Sequence, residues 1–277
     1  MMEPEEPIRI LSDLHLGHPA STILDVCAVF PLLEGVRSVI FNGDTSEQKH
    51  KRFRVKGDQD LRELRAHCGA KDIQAHFLTG NHDPAITSLN HMELCGGKVL
   101  VTHGDVLFRH VSPWSLGYEL KRDEIDNLYD RRGGFENLSF EDRLAVVKEA
   151  SILVRKNPMK HSRQGVRGKL IHVFLNIWPP SRLLSILRTW LSAPRKAFAL
   201  MERYRPGAAI LVHGHMHRRC IARRNNKAVI DTGAFQAFAR PSLVDISGGE
   251  LVVRKVVRRR EAFVPGKVLT RFELAEL

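Results

Sequence analysis

The chain is short of cysteine and of aromatic side chains: Cys27, Cys68, Cys95 and Cys220 are widely spaced, and Phe, Tyr and Trp together make up 7% of its 277 residues. No C-x-x-C pair occurs, which excludes a zinc knuckle or dithiol built on neighbouring cysteines and fits a reduced, cytoplasmic setting. Long apolar runs are missing too. The most apolar stretch, residues 170–180, contains His172 and Asn176 and ends on two prolines, well short of the roughly 20 residues that a membrane-spanning helix needs. The opening Met1-Met2-Glu3-Pro4-Glu5-Glu6-Pro7 is acidic, with no basic flank leading into an apolar run, so no secretory signal is expected. Fixed-period repeats and low-complexity tracts are absent.

What is present is a series of five short polar motifs: Asp13-x-His15, Gly43-Asp44, Gly80-Asn81-His82-Asp83, His103-Gly104-Asp105 and Gly214-His215-x-His217. They combine carboxylate or amide oxygens with imidazole nitrogens, a donor set that suits Mn²⁺, Fe or Zn²⁺ and not Ca²⁺, which takes oxygen alone. Each motif follows an apolar run that reads as a buried strand. Ile8 to Leu11 leads to Asp13, Val39 to Phe41 to Asp44, His76 to Leu78 to Asn81, Val99 to Val101 to His103, and Ala209 to Val212 to His213. Open α/β sheets bind ligands beyond the carboxyl ends of their strands, so five such ends can converge on one site. Singly, Asp-x-His or Gly-Asp is a common turn and Asn-His-Asp before Pro84 can cap a helix. The ordered set is far more specific than any member.

Through these motifs residues 8 to 108 and 206 to about 250 resemble the calcineurin-like metallophosphoesterases. The resemblance implies an α/β, four-layer sandwich of two sheets flanked by helices. It also implies two divalent cations, with Mn²⁺ expected first and Fe or Zn²⁺ equally served by the donors. Asp13, His15 and His217 would hold one cation, Asn81, His103 and His215 the other, and Asp44 would bridge them. The implied reaction is hydrolysis of a phosphodiester or diphosphate by water that the two cations activate. His82 would act on the bound phosphate or the leaving oxygen, with Asp83 orienting its ring. His213 and Asp105 fit either hydrogen bonds to the ligands or a purely structural role. His18, His50, His67, His91, His161 and His172 match no motif and read as surface or packing residues.

The whole chain has a formal charge of +12, and residues 143 to 205, with 14 Lys and Arg against Glu149 and Glu202, account for all of it. This stretch belongs to an insertion, about 109–205, within a single domain spanning 1–277. Its apolar spacing predicts a helix through Leu144, Val147, Ala150 and Leu153 after Ser139, a second from Ser181, and a third after Pro194. An apolar cluster, Val166 to Trp178, lies between the first two. Basic helices with an apolar side suit an anionic membrane surface or an acyl-bearing substrate, a cap with a solvated basic face, or nucleic acid. Few aromatics placed for stacking and no nucleic-acid module weigh against the last.

In layout the chain is similar to the UDP-2,3-diacylglucosamine pyrophosphohydrolases of lipid A synthesis. It shares Ser12-Asp13-Leu14-His15-Leu16, His103-Gly104-Asp105 and His213-Gly214-His215-x-His217-Arg218, with a basic helical lid between the last two. That resemblance implies a UDP-lipid substrate, peripheral attachment to the inner face of the membrane, and diphosphate contacts from Arg and Lys of residues 155 to 169. The sequence departs from it at Thr45 to His50, at His82, at Met216 and at Arg219. A metal-site scaffold without turnover is the contrasting expectation. At the C-terminal end, Ser247-Gly248-Gly249-Glu250 reads as a hairpin turn into a final strand through Val252 to Val257, with one exposed basic edge, and a second sheet is expected there.

Overall fold

A computed structural model describes residues 3–49, 51–156 and 180–277. Strands that are apolar at nearly every position need cover on both faces, and the fold supplies it by stacking two sheets. The first has six strands, built around the parallel trio β1 (Ile8–Leu11), β2 (Ser38–Asn42) and β3 (Gln74–Leu78), with Ile8 opposite Ser38 and Ser38 opposite Gln74. Beside β1 run antiparallel β9 (Ser242–Ser247), β10 (Glu250–Arg259) and β11 (Ala262–Glu273). The second sheet has the order β4 (His91–Leu94), β5 (Val99–Thr102), β6 (Ile210–His213), β8 (Lys227–Asp231) and β7 (Cys220–Arg224), with β5, β6 and β8 parallel.

Alternation along each strand sorts the core into layers. Ile8, Ile10, Ile40, Val99, Val101, Ile210 and Val212 meet between the sheets. Their neighbours Leu11, Val39 and Phe41 face the other way, packing with the 3-10 segment Val26–Leu33 and with Leu64 and Cys68 of α1 (Lys51–Ala70). On the far side Leu100, Leu211 and Val229 pack against the helices that lie between β5 and β6 in the chain. These are α2 (Leu116–Glu119), α3 (Arg122–Asp130), α4 (Phe140–Lys156) and α5 (Pro180–Tyr204). The result is two mixed sheets flanked by helices.

α4 starts where Ser139 and Asp142 predict: the Ser139 hydroxyl accepts from the Asp142 N–H at 3.1 Å. The two helices expected on either side of Pro194 are one 25-residue helix. Proline deletes a single backbone hydrogen bond, whereas Ala193, Ala197, Phe198, Leu200 and Met201 are all buried along one continuous apolar side, and that burial decides the outcome. Much of the basic charge on this layer is engaged within the protein. Arg143 lies 3.7 Å above the Phe135 ring, Lys148 donates to the Thr87 carbonyl at 2.8 Å, and Arg205 pairs with Glu93 at 2.5 Å and Glu141 at 2.6 Å. The cluster Val166 to Trp178, His161, His172 and the basic residues from 157 to 169 fall outside the described residues, as does His50. No described helix is long and apolar enough to cross a membrane.

The C-terminal region differs from expectation. Strand β10 is not the last strand or an edge: β11 follows and pairs with it, with register shifts around Arg254, and β9 to β11 extend the first sheet. The reason is the turn at Arg260 (φ 54°), which folds the basic run back on itself and gives buried Val253 and Val256 a partner strand.

Candidate metal centre

All five motif-bearing strands, β1, β2, β3, β5 and β6, point their carboxyl ends at one crevice between the two sheets. Tight loops at these ends turn the backbone sharply enough to aim successive side chains inward. Asp13, His15, Asp44, His215 and His217 have φ of 53°, 50°, 48°, 69° and 52°, the left-handed region that non-glycine residues seldom occupy and that costs about 1–3 kcal/mol each. Bonds between loops hold them there. Asp13 N–H donates to the Gly43 carbonyl at 3.2 Å, His15 N–H to the Asp44 carbonyl at 2.9 Å, and His215 N–H to the Asp13 carboxylate at 3.1 Å. Glycine is needed where loops touch: a Cβ on Gly214 would collide with Asp13 Oδ2, and one on Gly80 with Asp44.

The donors fall into two groups that share Asp44: Asp13, His15, Asp44 and His217, and Asp44, His103 and His215, with one ligand atom of each residue within 4.8 Å of the others. His15 Nε2 and His217 Nε2 are 3.1 Å apart, and Asp13 Oδ1 lies 3.2 Å from the latter. In the second group, His103 Nδ1 faces the Asn42 carbonyl at 3.1 Å and His215 Nε2 faces the Val111 carbonyl at 3.0 Å. Donation to those carbonyls fixes each tautomer and leaves the other ring nitrogen with a lone pair. Among the described residues His103 Nε2 and His15 Nδ1 have no hydrogen bond, although both are buried, and His103 Nε2 stands 3.3 Å from Asp44 Oδ2. The pair accommodates a positive charge, as a proton on the ring or as a cation between ring and carboxylate, and the two donor groups around Asp44 fit divalent cations. Asn81, buried in the Gly80 to Asp83 turn, hydrogen-bonds the Tyr118 hydroxyl.

Electrostatics give the same picture. Burial by itself would raise Asp13 and Asp44, but the surrounding imidazoles, His103 foremost, outweigh it and hold both carboxyls well below the usual range. Conversely, burial would lower His103 and His15, yet the Asp13 and Asp44 carboxylates prevail and raise both. Carboxylates and imidazoles in the crevice thus stabilise one another's charged forms.

Two sequence expectations change here. Asp83 does not touch the His82 ring. Its carboxylate is fully used by backbone, accepting from Asp44 N–H and Gly80 N–H at 3.0 Å each, Thr45 N–H at 2.7 Å and Ser46 N–H at 3.1 Å. Burial and the nearby Asp44 push it up to about 7 against those four donors, and its work is to pin the Asp44 loop to the Asn81 turn. The ring partner of His82 is Glu47, with Oε2 at 2.7 Å from Nδ1. His18, read as a surface or packing residue, stands in the crevice with its ring centre 5.7 Å from His15 and 5.9 Å from His82. Burial first, then the neighbouring imidazoles, lower it to about 3. Glu47 lies three residues after Asp44 in the stretch noted as a departure, a spacing that turns it back toward the crevice. Of the residues with two open readings, His213 is buried with Nδ1 on the Gly214 carbonyl at 2.9 Å, and Asp105 opens the short 3-10 turn after His103.

No family profile and no curated protein matches the chain. Among solved structures it is similar to Vacuolar Protein Sorting 29 from Cryptosporidium parvum (12% identity, TM-score 0.45, covering 96% of this chain and 97% of that one). It is also similar to a conserved protein described as a predicted phosphoesterase from Streptococcus pneumoniae (14%, 0.39, 96% and 95%) and to a dimetal phosphatase from Danio rerio (13%, 0.42, 95% and 99%). The likeness is long but shallow, and the functional reading rests on the geometry of the crevice.

Proposed function

We propose that this chain is a two-metal phosphoesterase acting on a phosphodiester or diphosphate bond, with Asp13, His15 and His217 holding one divalent cation, Asn81, His103 and His215 the other, and Asp44 shared. The observation that carries this reading is the pair of donor groups meeting at Asp44, with His103 Nε2 3.3 Å from its carboxylate. Two cations there would supply Lewis acidity toward phosphoryl oxygens and lower the pKa of water from about 15.7 to about 7. The protein supplies the rest. Glu47, held well below the ordinary carboxylate range because the imidazoles of His82 and His18 outweigh its burial, accepts the Nδ1 proton of His82. That bond fixes the ring and turns Nε2 away from Glu47, free to hydrogen-bond the bound phosphate or the leaving oxygen. The loss of ligands or of His82 that a non-catalytic scaffold would tolerate is not seen in this sequence.

The finer reading is a lipid-linked diphosphate such as UDP-2,3-diacylglucosamine, met at an anionic membrane surface. Supporting it, Leu184, Leu187 and Leu191 of α5 are 53%, 41% and 74% exposed at helical spacing, beside exposed Arg188. Mn²⁺-loaded protein is expected to release UMP from that substrate and to float with anionic liposomes in a salt-sensitive way. Cleavage of bis(p-nitrophenyl) phosphate without UMP release would remove the lipid and keep the phosphoesterase; no Asp44-dependent cleavage of any phosphodiester would remove both.

A further inference from the structure

Beyond the metal ligands, the loop after β8 brings an unusual group to the crevice rim. It starts from an anchored base: Phe235 is fully buried and its N–H donates to the Asp13 carbonyl at 3.0 Å. From there the chain rises to Phe238, whose side chain is entirely in solvent, and on to exposed Arg240. Phe238 and Arg240 both have left-handed backbone, φ 70° and 48°, and strain kept at an exposed tip needs a reason. Gly233 packs this loop against Arg219, two residues beyond His217: a Cβ there would lie 2.8 Å from the Arg240 carbonyl and 3.2 Å from the Arg219 nitrogen. Arg219 and Arg240 are thus neighbours. Among the described residues neither has an ion pair or hydrogen bond through its guanidinium.

Two arginines brought together by one backbone contact at Gly233, with neither guanidinium engaged by a carboxylate, can serve an anion, since each offers planar paired donors that match phosphate. We propose that Arg219, Arg240 and Phe238 form a recognition subsite for a nucleoside diphosphate group, the arginines gripping the phosphate that is not attacked and the Phe238 ring stacking on the base. This rests on the phosphoesterase reading and gives that reading a specificity element.

The test separates the two. Inorganic pyrophosphate, inorganic phosphate and UDP are titrated calorimetrically into chelator-treated protein, where catalysis plays no part. Pyrophosphate is expected to bind more tightly than phosphate, and Arg219→Ala with Arg240→Ala to weaken it at least about tenfold, as loss of charged hydrogen bonds does. Lysine at both positions should recover part of this, because charge returns without the fork. Phe238→Ala is expected to weaken UDP and spare pyrophosphate; equal loss on both would overturn the role of the ring. In turnover, the arginine variants should lower the ratio of kcat/KM for UDP-N-acetylglucosamine over bis(p-nitrophenyl) phosphate by a similar factor. Unchanged pyrophosphate affinity in the double alanine variant, with circular dichroism showing it folded, would overturn the subsite whether or not the wild type hydrolyses anything. Hydrolysis of neither substrate by metal-loaded wild type would count against the phosphoesterase reading, and the binding result would still decide the subsite.

Discussion

The crevice at the strand ends and the helical layer on the second sheet obey opposite rules. In the crevice, charges are buried, five non-glycine residues sit in left-handed backbone, and His15 Nδ1 and His103 Nε2 are buried without a hydrogen-bond partner among the described residues. In the helical layer, Tyr118, Ile125, Val146, Ala197 and Met201 are buried in ordinary apolar packing, and the basic side chains around them find carboxylates, carbonyls or rings. The first region spends stability to hold chemistry in place; the second supplies it. Where a protein breaks local rules at many neighbouring residues, function is the economical explanation.

That contrast can be broken by mutation. The largest effect is expected from Asp44→Asn, which removes the carboxylate shared by both donor groups: a loss of about a thousandfold or more in kcat on bis(p-nitrophenyl) phosphate, with bound metal falling below two per chain by elemental analysis. Chelation of the wild type should match it, and re-addition of Mn²⁺ should restore only the wild type. Phe198→Ala, in the helical layer, should do the reverse. It is expected to cost about 3 kcal/mol in urea unfolding, through a cavity against the second sheet, while metal stoichiometry and kcat per folded molecule stay put.

Glu47→Gln sharpens the comparison within the crevice. Removing the charge that faces His82 Nδ1 should lower kcat about 10- to 100-fold, with two metals still bound and a shifted pH–rate profile; an unmoved profile would count against Glu47 acting through His82. The smallest effect belongs to Gly207→Ala, just past α5, where no atom lies within 4 Å of an added Cβ and φ is not positive. There the variant should gain about 0.4–1 kcal/mol by restricting the unfolded chain, whereas Gly214→Ala, its counterpart against Asp13, should lose stability in the same assay.

Much of this architecture is legible in the residues because two strong constraints act locally. A strand buried on both faces must be apolar at most positions, so Ile8–Leu11, Val99–Thr102 and Ile210–His213 announce themselves, and metal-binding chemistry tolerates few residue types, so the motifs at the ends of these strands stand out. The continuation of α5 through Pro194 was not legible, since local propensity says stop and only the unbroken apolar side buried against the sheet says continue. Likewise β11 was hidden by its exposed, alternating character at a sheet edge.

By itself, then, the sequence determined that the motif-bearing strands form, that oxygen and nitrogen donors gather beyond their ends, and where the net positive charge lies. Tertiary structure alone decided that Glu47 and not Asp83 meets the His82 ring, that His18 enters the crevice, and that Arg219 and Arg240 stand side by side. The physical reason is range. Strand and ligand identity are imposed on each residue by its own burial and chemistry, whereas these pairings join loops some twenty to thirty-five positions or more apart, held together by the packing of two sheets that no single segment encodes.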